Sequence, residues 1–212
     1  MNEYFDSTLL KAISTTSDIE KLCSDAKNYK FKAVCINPCY VSLAKELLKD
    51  SDVKVCTVIG FPLGANTTYI KKEEVYDAIN NGADEVDMVI NVGALKEKRY
   101  DYVINEIKEL RQASKDKVLK VIIETCYLEE DEIKKMTEIC NETKVDFIKT
   151  STGFGTRGAS IEDIQTINKY KNKDLKIKAS GGIREKKDAE KYIELGVSRI
   201  GTSNAVKMME EE

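Results

Sequence analysis

The sequence predicts an α/β protein built from repeated strand–helix units, and three observations carry that expectation. Short apolar runs rich in Val and Ile alternate with segments whose apolar residues recur every three or four positions. Nine of the eleven glycines follow an apolar run, so the permissive backbone collects where strands turn into helices. The length of 212 residues fits one large domain and sits near the short end for a (β/α)8 barrel.

The elements follow in order. "YFDSTLL" supplies a short first strand, and a helix over 17–28 comes after it. Further strands are expected at 32–37 ("KAVCIN"), 53–59 ("VKVCTVI"), 84–91 ("DEVDMVIN"), 118–125 ("VLKVIIET"), 146–150 ("DFIKT"), 175–180 ("LKIKAS") and 198–202 ("SRIGT"). Helical segments lie between them, among them "TTYIKKEEVYDAIN", "YDYVINEIKELRQAS" and "SIEDIQTINKY". Gly82 and Gly196 precede strands and read as helix C-terminal glycines. "MMEEE" reads as a frayed, solvated helix end. Both a closed barrel and an open doubly wound sheet satisfy this pattern, and both place function at the C-terminal ends of the strands.

Composition excludes several classes. A net charge of −3 without a long basic run gives no support for nucleic-acid binding. The longest uncharged stretch, 55–70, is interrupted by Gly60, Pro62 and Gly64, so no membrane span is expected. "MNEYFDSTLL" lacks the basic start and apolar run of a signal peptide. The six cysteines include no C-x-x-C pair, which fits reduced thiols in a cytoplasmic protein. There is no histidine, which removes Ser-His-Asp and Cys-His catalysis and His-ligated metal. Acid–base work is left to Asp, Glu, Lys, Cys or Tyr.

Three charges interrupt apolar strands near their C-terminal ends: Asp87 in "DEVDMVIN", Lys149 in "DFIKTSTG" and Lys178 in "LKIKASGG". Each could be a structural ion-pair partner. Two lysines on neighbouring strands, each followed by Ser or Thr and Gly, favour chemistry instead. Mutual repulsion and burial both depress the pKa of at least one of them. A neutral lysine is a nucleophile toward carbonyls, and a carboxylate beside it completes a kit for Schiff-base chemistry. Glu124, at the end of "VIIET", reads as a supporting carboxylate paired with a neighbouring lysine. Gly181 and Gly182, then Gly201, Ser203 and Asn204, precede the last two helices. They form either an anion site of helix N-termini or simple tight turns. No dinucleotide or P-loop fingerprint is present, and "GFGTRG" has the wrong glycine spacing.

Seven stretches, in order from "FDSTLLK" through "AVCINPCYV", "VCTVIGFPLGANTT", "EVDMVINVGALK", "DFIKTSTGFGTRGAS" and "KIKASGGIR" to "RIGTSNAV", resemble the deoxyribose-phosphate aldolases. The resemblance spans nearly the whole chain. It implies one (β/α)8 TIM-barrel catalytic domain over 1–212 and a class I aldolase without cofactor or metal. The implied reaction is reversible cleavage of 2-deoxy-D-ribose 5-phosphate to acetaldehyde and D-glyceraldehyde 3-phosphate, in deoxyribose phosphate catabolism. Implied roles are Schiff-base formation by Lys149, lowering of its pKa by Lys178 and proton relay by Asp87. Asp6, Thr8 and Cys35 match pocket residues, and Gly153, Gly181, Gly182, Gly201, Ser203 and Asn204 match the phosphate site. The implied partners are the phosphosugar and aldehyde substrates and, in a homodimer, a second copy; no nucleic acid or membrane is expected. Ser7 replaces a histidine common in the family, Arg157 stands where a small residue is usual and could touch phosphate or solvent, and the C-terminal tyrosine of some members is missing. A barrel that binds phosphosugars without turnover and another lysine-dependent lyase are the competing readings.

Overall fold

The computed structural model describes residues 1–211. Its strands are Phe5–Leu9 (β1), Ala33–Ile36 (β2), Lys54–Ile59 (β3), Glu85–Val89 (β4), Val118–Ile122 (β5), Phe147–Lys149 (β6), Lys176–Ser180 (β7) and Arg199–Thr202 (β8). The helices are Thr16–Tyr29 (α1), Val41–Leu47 (α2), Thr68–Asn80 (α3), Val92–Lys96 (α4), Tyr100–Ser114 (α5), Glu130–Thr143 (α6), Ile161–Tyr170 (α7), Lys186–Glu194 (α8) and Ala205–Glu210 (α9). All neighbouring strands pair in parallel, and β1 pairs with β8, with Asp6 opposite Gly201. That last pairing closes a (β/α)8 barrel and excludes the open sheet.

Local chemistry sets the helix boundaries. Thr15 and Asp18 form a capping box that starts α1, and Ser160 and Asp163 do the same for α7. Lys30 and Lys144 end α1 and α6 in the left-handed conformation. Gly82 and Gly196 follow α3 and α8 with φ of 106° and 85°, as expected of helix C-terminal glycines. The main core joins strand residues such as Val34, Val86, Val121, Ile148 and Ile200 to helix residues such as Ile19, Val75, Ile107 and Ile164. It removes the apolar face of each helix from water.

Three local expectations differ. The strand predicted over 84–91 stops at Val89, because Asn91 turns to cap α4 and its side chain accepts from the Ala94 amide at 3.0 Å. The strand predicted over 118–125 stops at Ile122, and Glu124 adopts a left-handed φ of 52°. The C-terminal segment is docked, not frayed. Met208 is buried, Tyr29 Oη donates to Glu210 at 2.6 Å, and the Lys186 amide donates to Glu211 at 3.2 Å. Glu212, the last residue of "MMEEE", lies outside the described residues. Among the described residues no helix is long and apolar enough to cross a membrane.

A buried ion pair outside the barrel fixes the end of β4. Lys71 on α3 donates to Glu106 on α5 and to the Val89 carbonyl, both at 2.8 Å. Glu106 also accepts from the Asn91 amide at 3.1 Å. The strand that carries Asp87 is thus tied at its exit.

Candidate active site

Parallel register brings the three charges singled out in the sequence to one place. Lys149 ends β6 and stands opposite Lys178 on β7; Asp87 stands on β4, opposite Lys120 of β5. Side chains two apart on a strand share a face, so each barrel strand can aim alternate residues inward. Lys149 Nζ donates to Asp87 Oδ2 at 2.8 Å, and Lys178 Nζ donates to the same oxygen at 2.7 Å. Lys120 Nζ takes the other oxygen, Oδ1, at 2.8 Å. Asp87 and Lys178 are fully buried and Lys149 is 2% exposed.

Burial alone would raise the Asp87 pKa, but Lys120, Lys149 and Lys178 outweigh it and hold the carboxyl well below its ordinary 3.8. Burial likewise pulls Lys178 down, and Asp6 and Asp87 overcome it, so its pKa lies above 10.5. The expectation from repulsion and burial therefore fails at Lys178: it left out the second carboxylate. Asp6 Oδ2 is 2.5 Å from Lys178 Nζ, an ion pair out of hydrogen-bond alignment.

A cavity of about 370 Å³ opens above this cluster, and Lys149 is the member of the cluster that lines it. Thr8, Gly153, Gly181, Gly182, Gly201 and Ser203 line it as well. Gly181 and Gly182 take left-handed φ of 81° and 75°, which turns the β7–α8 loop around the cavity. The loops are tied to each other: Ser180 Oγ donates to the Ser151 carbonyl at 2.6 Å, and Thr202 Oγ1 to the Ile183 carbonyl at 2.7 Å.

Asp6, Cys35, Asn204, Glu124 and Arg157 lie outside the cavity lining. Asp6 is buried under the cavity against Lys178 and Arg199, and does not line it. Cys35 is buried in a small apolar cluster with Leu10, Ala33, Cys56 and Val58. Its thiol is brought down to about 7, chiefly by hydrogen bonding to Cys56. Asn204 precedes α9 and reaches back to the Arg184 carbonyl at 3.4 Å. Among the described residues Glu124 meets no lysine; it accepts from the Thr152 amide at 3.2 Å and so fixes the loop after Lys149. Arg157 pairs with Asp163 at 2.6 Å instead of entering the cavity, which makes it a brace between that loop and α7.

Further participants are not singled out by the sequence pattern. Lys120, Glu85, Arg199 and Cys56 belong to the buried charged cluster, and Lys11 and Arg184 bring exposed cations to the cavity rim. Lys120 had a visible signal, a lone cation in the apolar run "VLKVI". Cys35, Cys56 and Asp87 bring three potential ligand atoms within 4.8 Å of one another. With three ammonium groups sharing Asp87, that trio is a poor cradle for a cation.

A lysine at a cavity floor, paired with a buried carboxylate at the C-terminal end of a closed barrel, is the arrangement of a Schiff-base enzyme. The model of the DeoC/LacD aldolases matches residues 2–205. The chain belongs to the DeoC/LacD family of aldolases. It is therefore an aldolase, a lyase. A deoxyribose-phosphate aldolase of Treponema denticola is 54% identical over 208 residues, covering 97% of this chain and 96% of its own. A solved aldolase structure superposes on this aldolase with a TM-score of 0.95 at 44% identity, covering 99% of this chain and 94% of that one. The structure of a deoxyribose phosphate aldolase from Aeropyrum pernix, described as a tetramer, gives 0.91 at 31% identity and covers 99% and 89% respectively.

Proposed function

We propose that this aldolase reversibly cleaves 2-deoxy-D-ribose 5-phosphate to acetaldehyde and D-glyceraldehyde 3-phosphate through a Schiff base on Lys149. The observation that carries the reading is that, among the described residues, Lys149 alone joins the buried carboxylate to the cavity, donating to Asp87 at 2.8 Å while lining the open space. The Lys149 amine attacks the aldehyde carbon of the open-chain sugar. Asp87, kept ionised, and Lys178, kept cationic, accept and return protons as the carbinolamine loses water. The protonated imine then draws the electron pair of the breaking C2–C3 bond, while the C3 hydroxyl gives up its proton and becomes the carbonyl of the leaving aldehyde. The enamine left on Lys149 takes a proton at C2, and hydrolysis releases acetaldehyde.

The phosphate is placed by the same reading against Gly181, Gly182, Gly201 and Ser203, with Lys11 and Arg184 at the rim. Backbone amides in such turns attract anions, and contacts remote from the reacting carbons fix the sugar over the amine. The whole chain, 1–212, acts as one catalytic domain in deoxyribose phosphate catabolism in the cytoplasm, a location supported by six free cysteines. Pairing of two copies as a homodimer belongs to the same proposal.

Borohydride reduction in the presence of acetaldehyde tests the reading. The expected result is one adduct, mapped by mass spectrometry to Lys149. An adduct on another lysine, or none, overturns the nucleophile assignment.

A further inference from the structure

Asp87 is one link in a closed chain of charges. From Lys120, which holds Asp87 Oδ1, the same Nζ reaches Glu85 Oε2 at 2.5 Å. Glu85 accepts from both terminal nitrogens of Arg199, at 3.1 and 2.9 Å. Arg199 Nε donates to Asp6 Oδ1 at 2.6 Å. Asp6 Oδ2 faces Lys178 Nζ at 2.5 Å, and Lys178 returns to Asp87 Oδ2 at 2.7 Å. Each of the six groups therefore meets an opposite charge on both sides. The carboxylates of Asp6, Glu85 and Asp87 balance the cations of Lys120, Lys178 and Arg199, and Lys149 hangs from Asp87 outside the balance.

We propose that Glu85 and Arg199, neither of which reaches the cavity, are positioning residues that close this ring and thereby set how firmly Asp87 holds the Lys149 amine. The inference rests on Lys149 being the nucleophile. All eight strands contribute groups that face Asp87 or the ring: Asp6 from β1, Cys35 from β2, Cys56 from β3, Glu85 with Asp87 from β4, Lys120 from β5, Lys149 from β6, Lys178 from β7 and Arg199 from β8. Phe147 lies under the ring, with the Arg199 guanidinium 5.9 Å and the exposed Lys176 ammonium 5.7 Å from its centroid.

The ring fixes the sign of two opposite effects. Glu85→Gln frees Lys120 to hold Asp87 harder, which loosens Asp87 from Lys149. Arg199→Gln frees Asp6 to hold Lys178 harder, which leaves Asp87 more available to Lys149. Removing one negative and one positive buried charge moves the potential at Lys149 in the same two senses.

The test is the acid limb of kcat/KM against pH, with borohydride trapping on each variant. Glu85→Gln is expected to move the limb to lower pH and Arg199→Gln to higher pH, each by about one unit. The double variant Glu85→Gln/Arg199→Gln should return it close to wild type, and Arg199→Lys should leave it nearly in place. Where Arg199→Gln does not fold, Glu85→Gln and the double variant decide the matter: the limb has to move down in the first and return in the second. Should the double variant not fold either, the limbs of Glu85→Gln and Arg199→Lys decide alone. A Glu85→Gln limb that stays put, or Glu85→Gln and Arg199→Gln limbs that move in the same direction, overturns the proposal. Absence of the wild-type adduct on Lys149 instead overturns the nucleophile assignment, so the two failures are distinguishable.

Discussion

Lys149 can be removed without unbalancing the interior, because Lys120 and Lys178 still neutralise Asp87 after it is gone. Lys149→Leu is therefore expected to lower turnover by more than about a thousandfold while the native fold is kept. Turnover and near-ultraviolet circular dichroism on one preparation check this, and retained cleavage would remove Lys149 from the chemistry. The carboxylates behave differently. Asp6 is held below its ordinary 3.8 by Arg199 and Lys178 against the opposing effect of burial, and Asp87 is held below it by its three lysines. The unfolded chain takes up protons at the ordinary value, whereas the native state resists until lower pH. The stabilisation from both groups is thus complete above about pH 4 and is lost as pH falls toward the folded values. Asp6→Asn should cost about 3–5 kcal/mol at neutral pH and make the acid decline shallower, read from urea midpoints. A variant with the wild-type acid slope would show that Asp6 does not carry it. At this scale Asp87, Lys149 and Lys178 were legible because each is a charge near the C-terminal end of an apolar run. Lys120 is the lone charge of its own strand, yet its role depends on which charges of β4 face it. Asp6 and Cys35 show the same limit: a strand sequence gives the face of a residue, whereas depth below the cavity is set by the stagger of neighbouring strands.

The elements that matter most for the substrate are the loops after β6, β7 and β8, and one close approach governs two of them. A Cβ on Gly158 would lie 1.9 Å from the Gly181 carbonyl oxygen and 2.2 Å from its carbon. Neither is a flexible side-chain end, so Gly158→Ala must push the β7–α8 loop away from its place beside the cavity. The expected result is a KM for the phosphorylated sugar raised roughly tenfold, with acetaldehyde still trapped on Lys149, because the amine and Asp87 are untouched. Unchanged KM would detach the Gly181 loop from phosphate recognition. Helix positions were readable from period and caps; α5 runs over the 100–114 that its apolar spacing marks. Strand ends were read too long, because apolar runs continue past the last ladder bond into segments such as 90–91, whose backbone turns to cap the next helix. The five residues of α4 are too short for a period to show.

At the scale of the whole molecule, the site exists only when the barrel is closed. Asp6 comes from β1, Asp87 from β4, Lys120 from β5, Lys149 from β6, Lys178 from β7 and Arg199 from β8, so the ring crosses the β8–β1 seam through Arg199 and Asp6. The choice between open sheet and barrel could not be made from strand count or glycine placement, since both folds share them; the β1–β8 pairing decides it. Opening that seam would separate Asp6 from Arg199 and expose unpaired buried charges, an arrangement far costlier than the closed one. No partly opened barrel should therefore keep the charge pattern that serves Lys149. Activity and helical circular dichroism are expected to fall together along a urea titration, as one cooperative transition. Activity lost well before the helical signal would mean that the seam or the cavity loops open on their own, below the free energy of global unfolding. Repeating the titration on Gly158→Ala separates those two, because a loosened loop brings the loss of activity forward while a seam that opens independently leaves its midpoint where it was.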